Sequence, residues 1–360
     1  MTKEWQKKTV QFYSVILVLL SSMPFLHGKD FPVPLNFSGL EISFSVCMIL
    51  CNIGTIVIAR AAFRAIFKDE MIALWTTAIY VLSVYRIYIM NIALDIRGML
   101  VMMVFPGIAA GIYSLCVERR KTERKILVSF FLCTFVWIIL QKNVVAGFWN
   151  METREMISRQ RIQEKGLLLP QLAFHFWKFT GDQPGEGMQY SYPIGVGAIL
   201  ILGLLLFLIL WFSGKFEWTS REKERSSAET ETHKECFTET GENPLKKEEI
   251  RFAKVAAVLA LICLVCSLNS FPWDILQQKN SVLAYLIGSI QQPHVFLRYG
   301  TFFLVVVWGN ILLLLKKKKN KYYYNLGILL LLAGMVTSSV FLMDHIGTYQ
   351  KQYSVEAEQE

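Results

Sequence analysis

The feature that most limits this chain is a series of apolar segments, several of them close to 20 residues long, recurring from Thr9 to Met343. A helix needs roughly 20 apolar residues to cross a bilayer core. A soluble protein exposing this many such runs would aggregate, so they read as membrane spans. Composition agrees where it matters: 54% of residues are hydrophobic and 18% charged, against about a quarter charged in a soluble globular domain. The sequence therefore predicts an all-α, polytopic transmembrane helix bundle.

Nine segments are expected to span: Thr9–Leu26, Glu41–Phe63, Met71–Ile89, Met99–Cys116, Ile126–Leu140, Pro193–Phe212, Ala253–Leu268, Tyr299–Leu315 and Asn325–Met343. Basic residues set the orientation, because Lys and Arg collect in cytoplasmic connections. Lys3, Lys7 and Lys8 precede the first segment. Arg60, Arg64 and Lys68 mark the end of the second, Glu118–Lys125 follows the fourth, and Lys316–Lys319 ends the eighth. All these clusters fall on one side of a nine-span arrangement with the N-terminus inside and the C-terminus outside. No small-x-small cleavage signal follows the first segment, so it reads as an uncleaved helix rather than a signal peptide. A variant in which the third and fourth segments form one re-entrant hairpin fits the same pattern.

The connections divide the chain. Residues 1–213 form an N-terminal membrane region of six spans, with an external loop over 141–192. Residues 214–254 are a mixed-charge cytoplasmic linker rich in Ser, Thr and Glu, a composition typical of disorder. Residues 255–344 carry three more spans with an external loop over 269–298, and residues 345–360 form an acidic external tail. The first external loop, His27 to Leu40, is held extended by Pro32 and Pro34. The stretch Ser270–Gly300 contains Pro272, Trp273, Asp274, Pro293, His294 and Arg298, and reads as a structured loop lying on the outer membrane surface. Tyr85-Arg86-Ile87-Tyr88 ends the third span at the outer interface, where amphipathic side chains are at home. Gly107 and Gly111 form a GxxxG pair, which lets another helix come close.

The formal net charge of +9 does not point to nucleic acid, since the basic residues sit in short clusters beside apolar runs and act as topology signals. Cys47, Cys51, Cys116, Cys133, Cys263 and Cys266 lie in or at the ends of apolar segments, unlike a secreted disulfide framework. Cys263 and Cys266 have CxxC spacing, but inside a helix they read as small packing residues. No metal-ligand spacing, phosphate loop, Ser/His/Asp arrangement or internal repeat stands out. The spans are also poor in the buried acidic residues that a proton-coupled transporter would use. The outer polar residues remain. A transferase at a membrane face needs a carboxylate to take a proton from an acceptor hydroxyl, and cations for a departing lipid phosphate. Asp30 suits the first role, and Arg97 and Arg298 the second. By position alone these residues read more simply as a solvated loop carboxylate and interface anchors.

Several short pieces carry a family resemblance: Ala78 through Ser83 to Tyr85-Arg86, Ile157-Ser158-Arg159 with Gln163-Glu164-Lys165-Gly166-Leu167, Gly187-Met188, Phe271-Pro272-Trp273-Asp274, and Ile290-Gln291-Gln292-Pro293. In this order they resemble large bacterial polytopic membrane proteins, the YfhO-like and "6-pyruvoyl-tetrahydropterin synthase-related" membrane proteins (a label that implies no pterin chemistry). The resemblance covers most of Ser43 to Gly300. It implies the GT-C superfamily of glycosyltransferases, whose members use polyprenyl-phosphate sugars at the outer face. The function it implies is transfer of a sugar from a polyprenyl-phosphate donor to an extracytoplasmic cell-envelope acceptor. On that footing Asp30 is expected to be the base, with Arg86, Arg97 and Arg298 facing the lipid phosphate. No cofactor is fixed by the resemblance, and a divalent metal stays open.

The chain departs from the family pattern at several points. The first external loop is short, which leaves Asp30 as the counterpart of the family's acidic residues. Asp95, Arg97, Gly98 and Met99 occupy the region where the family has an Arg and later a Gly-Glu, and the Glu is missing. Val295 stands where the family's Pro-Trp-Arg-Phe-Leu motif has its Arg, with Arg298 nearby. These departures keep two other readings open: a reduced, non-catalytic membrane scaffold, and a transporter or lipid flippase.

Overall fold

The structure is a computed structural model. It describes residues 35–37, 40–42, 44–91, 93, 95–117, 124–140, 162–173, 194–213, 247–290, 292–317, 322, 324–337 and 339–340. The expected first span Thr9–Leu26, most of the loop 141–192, the linker as far as residue 246 and the tail 345–360 lie outside the described residues.

The described chain is helical apart from one small hairpin. In it β1 (Leu35–Phe37) pairs antiparallel with β2 (Leu40–Ile42), Leu35 opposite Ile42. Then come α1 (Phe44–Phe67), α2 (Glu70–Val81), α3 (Val84–Asn91), α4 (Ile96–Val117) and α5 (Arg124–Leu140). A short α6 (Leu169–Ala173) precedes α7 (Ala198–Phe212) and α8 (Lys247–Cys266). Two small helices, α9 (Trp273–Lys279) and α10 (Ser281–Gly288), lead into α11 (Phe296–Lys317), and α12 (Tyr324–Thr337) follows.

Among the described residues, three helical stretches are long and apolar enough to cross a bilayer: Val46–Phe67, Ile96–Cys116 and Pro293–Lys317. The helices α2 and α3, bent by 48° where they meet, make a fourth if counted as one broken span. Shorter apolar helices, Val128–Trp137, Ala198–Phe212 and Tyr324–Thr337, stand where the fifth, sixth and ninth spans are expected. The seventh, expected from Ala253, falls in α8, which begins earlier at Lys247. The end of the charged linker is thus helical; Lys and Glu are good helix formers, so a span can continue into water.

The core is built on α11, which is buried along most of its length and packs against α8, α7, α2 and α4. Lipid tails are as apolar as leucine, so burial alone does not bring helices together; close packing does. In α8, Ala253, Ala256, Ala257 and Ala260 are fully buried, while Val255, Val258, Leu259, Ile262 and Val265 are exposed. In α1 a stripe of Val46, Leu50, Ile53 and Val57 likewise faces outward. Outward apolar stripes of this extent are unsuited to water and suited to lipid. The CxxC cysteines are both free thiols, Cys263 buried beside Gly300.

Ion pairs sit at two levels. Near the end of α11, Lys316 pairs with Asp69, which also caps α2 by accepting from the Met71 and Ile72 amides. There too Glu70 meets Arg64 at 2.9 Å and Arg60 at 3.8 Å. Near the start of α11, Arg298 pairs with Asp95. The helical rise separates Arg298 from Lys316 by about 27 Å, close to the roughly 30 Å of a bilayer's hydrocarbon core.

The GxxxG pair has its partner within the chain. A Cβ at Gly107 would lie 2.7 Å from Cys133 Sγ, and one at Gly111 would enter the Phe130 side chain, both on α5. Gly111→Leu is therefore expected to force α5 away from α4 and to cost about 1–3 kcal/mol. Thermal unfolding of the detergent-solubilised protein checks this, with an unchanged midpoint as the outcome that removes the contact.

Candidate functional site

Asp95 begins the site. It stands just before α4, where the first helical N–H groups have no partner within the helix. Its Oδ1 accepts from the Gly98 amide at 2.8 Å, and its backbone carbonyl accepts from Met99 at 3.0 Å. An aspartate suits this capping position because it accepts an orphan amide and opposes the positive end of the helix dipole. Its Oδ2 accepts from Arg298 Nη2 at 2.6 Å, joining α4 to the first turn of α11. A Cβ at position 98 would lie 2.5 Å from Asp95 Oδ2 and 3.0 Å from Arg298 Nη2, so glycine makes room for the pair. The pair is not sealed: the side chains of Arg298 and Asp95 keep 13% and 32% of their exposure. Arg298 Nε has no acceptor among the described residues. The carboxylate therefore meets the guanidinium through one contact where the fork can offer two parallel ones.

Aromatic rings wall this corner. Tyr85 and Tyr88 of α3 meet His294 edge to face, at 6.3 Å and 6.4 Å between ring centres. Tyr85 is fully buried, and its hydroxyl neighbours Arg298 without a well-formed hydrogen bond. Trp273 stacks on Phe296 at 5.5 Å, packs against Phe271 at 4.5 Å, and donates from Nε1 to the Cys266 carbonyl at 3.1 Å. A 3-10 turn, Gln163–Lys165, docks beside them: the Asp274 amide donates to Gln163 Oε1 at 3.2 Å, and Leu167 forms a parallel bridge to Leu268. The pieces around Tyr85, Gln163, Trp273 and Pro293, far apart in sequence, thus meet at one end of the bundle.

The residues expected to act fare differently. Asp30 lies outside the described residues. Arg298 is at the corner, tied to Asp95. Arg97 is half-buried in the first turn of α4. The expectation that Arg86 faces lipid phosphate at the outer interface is corrected. Arg86 is wholly buried, with Nη1 donating to the Val81 carbonyl at 3.0 Å and Nη2 to Asn52 Oδ1 at 2.7 Å. The reason is the break between α2 and α3: it strips the last carbonyls of α2 of their helical donors, and Arg86 supplies one. Asp95 as an anchoring carboxylate was signalled by an Asp three residues before Gly98, opening an apolar run, which is a capping pattern. Nothing in the sequence signals the His294 contact with Tyr85 and Tyr88.

Among the described residues no three of His, Cys, Asp and Glu converge to hold a metal ion. The class these features define is a helical membrane protein with a polar corner at one end of its bundle. Comparison with family models, curated proteins and solved structures finds no match for the chain.

Proposed function

We propose that this chain is a GT-C-like membrane transferase. It moves a sugar from a polyprenyl-phosphate donor to an extracytoplasmic cell-envelope acceptor, from a position in the cell membrane with the Arg298 corner on the outer face. The observation that carries the reading is Arg298 itself: a partly exposed cation, walled by rings, about one bilayer core away from the opposite belt of ion pairs. In the reaction the acceptor oxygen attacks the anomeric carbon and its proton passes to a carboxylate. The bond from that carbon to the phosphate oxygen breaks, and the electron pair stays on the phosphate. A cation fixed beside the phosphate favours the state in which this charge has formed. The resemblance supports Asp30 as the base.

The test is incubation of the purified protein with labelled polyprenyl-phosphate sugars and envelope acceptor, with and without divalent metal. Sugar transfer is expected, lowered by about 100-fold in Arg298→Gln and abolished in Asp30→Asn. Inert donors across the set would remove the transferase reading, and an active Asp30→Asn would remove that base. A second reading, a non-catalytic scaffold, is favoured by Asp95 having both oxygens engaged. It predicts no turnover, with Arg298→Gln lowering only stability.

A further inference from the structure

We propose that Arg298 is a phosphate site which Asp95 holds closed, and that this closure selects phosphate groups with two negative charges over those with one. At a membrane surface a partly exposed arginine would ordinarily be occupied by whatever lipid phosphate is most abundant. Here Asp95 fills it first. The carboxylate is held by the Gly98 amide at 2.8 Å and reaches Arg298 at 2.6 Å, so it competes as a tethered ligand at high effective concentration. A phosphodiester brings one charge and would replace a carboxylate of equal charge, with little gain. A phosphomonoester carries about −1.5 to −2 at pH 7 and three strong acceptor oxygens. It can offer more than one oxygen to the guanidinium, which Asp95 meets through Nη2 alone. Gly98 keeps the space in which the carboxylate and guanidinium meet.

One consequence rests on the transferase reading. A polyprenyl-phosphate sugar is a diester with one charge, and its leaving phosphate is a monoester that gains the second as the sugar departs. Arg298 would then leave Asp95 for the phosphate only as that charge develops. An interaction stronger in the transition state than in the bound donor is the kind that accelerates a reaction.

The test is direct binding to the full chain in nanodiscs. Methyl phosphate and dimethyl phosphate probe the site from water; polyprenyl monophosphate and phosphatidylglycerol probe it from the bilayer. In the unmodified protein each monoester is expected to bind about tenfold more tightly than its diester partner. A preference in the lipid pair alone assigns the site to lipid-borne phosphate, and one in both pairs to phosphate from either source. In Asp95→Asn the ratio is expected to fall to about threefold or less, because the diester gains. Asn keeps the helix cap. In Arg298→Gln neither should bind. An unchanged ratio in Asp95→Asn, or undiminished binding in Arg298→Gln, overturns the proposal. If Asp95→Asn does not fold, Gly98→Ala, which displaces the carboxylate from the pair, must give the same loss of discrimination, and its failure to do so overturns the proposal equally. Discrimination without sugar transfer leaves the site standing and removes the transferase reading; transfer without discrimination does the reverse.

Discussion

Arg86→Ala is expected to destabilise the bundle by about 3–5 kcal/mol and to remove most folded protein from the membrane. Three losses combine. The substitution empties a space filled by one of the largest fully buried side chains. It leaves Asn52 Oδ1 and the Val81 carbonyl without the donors that meet them at 2.7 Å and 3.0 Å, in surroundings where no water replaces them. It also unties α3 from α1 and α2 at the break between α2 and α3. Lysine, with a compact charge and no fork, cannot reach both acceptors in the same way, so Arg86→Lys should fall between. Removing both sides of the contact is the sharper comparison. Arg86→Met alone takes its donor from Asn52 Oδ1, whereas Arg86→Met with Asn52→Leu removes both sides of that contact and should be less destabilised than the sum of its parts. Unfolding followed by tryptophan fluorescence in mixed micelles reads these differences. An Arg86→Ala midpoint equal to that of the unmodified protein would show that the clamp is not what holds the break. Because α3 also carries Tyr85 and Tyr88, a loosened Arg86 should weaken phosphate binding at Arg298 without touching the ligand.

This clamp also shows which features could be read from sequence. Long apolar runs are legible because lipid requires them, and among the described residues the runs around α1, α4 and α11 form helices long enough to cross. The break is not legible: Leu82 and Ser83 are neither proline nor glycine, the usual marks of interrupted helices. An arginine near the end of a span then looks like an interface anchor, although this one is fully buried. The corner was legible in its parts, since the sequence already sets Asp95 and Arg298 apart as polar residues beside apolar runs, but not in its pairing, which joins positions 203 residues apart. Gly107 and Gly111 likewise announce a close approach without naming α5 as the helix that makes it. Asp30, read as the base, lies in residues the structure does not describe, so its assignment rests on the resemblance.

Gly203→Leu should be nearly as damaging as loss of Arg86, for the opposite reason. The face of α7 that meets α11 has glycine where the indole of Trp308 lies, and any Cβ there would overlap the ring. The indole Nε1 donates to the Ile199 carbonyl at 3.0 Å, one helical turn before Gly203, so the ring is fixed by a bond as well as by packing. It cannot yield as a flexible side-chain tip would. A methyl group in place of the hydrogen is expected to cost about 1–3 kcal/mol. Leucine should exceed that by driving α7 from α11 and breaking the indole bond, which is seen as a fall in unfolding midpoint and a red shift of tryptophan emission. Trp308→Ala would open space for the new side chain, so the pair Gly203→Leu with Trp308→Ala should be more stable than the two separate costs predict. If helix association here were driven by apolar character alone, Gly203→Leu would strengthen it, since leucine is the more apolar residue. In lipid that driving force is absent, and the bundle holds because small residues let large ones lie flat against the neighbouring backbone.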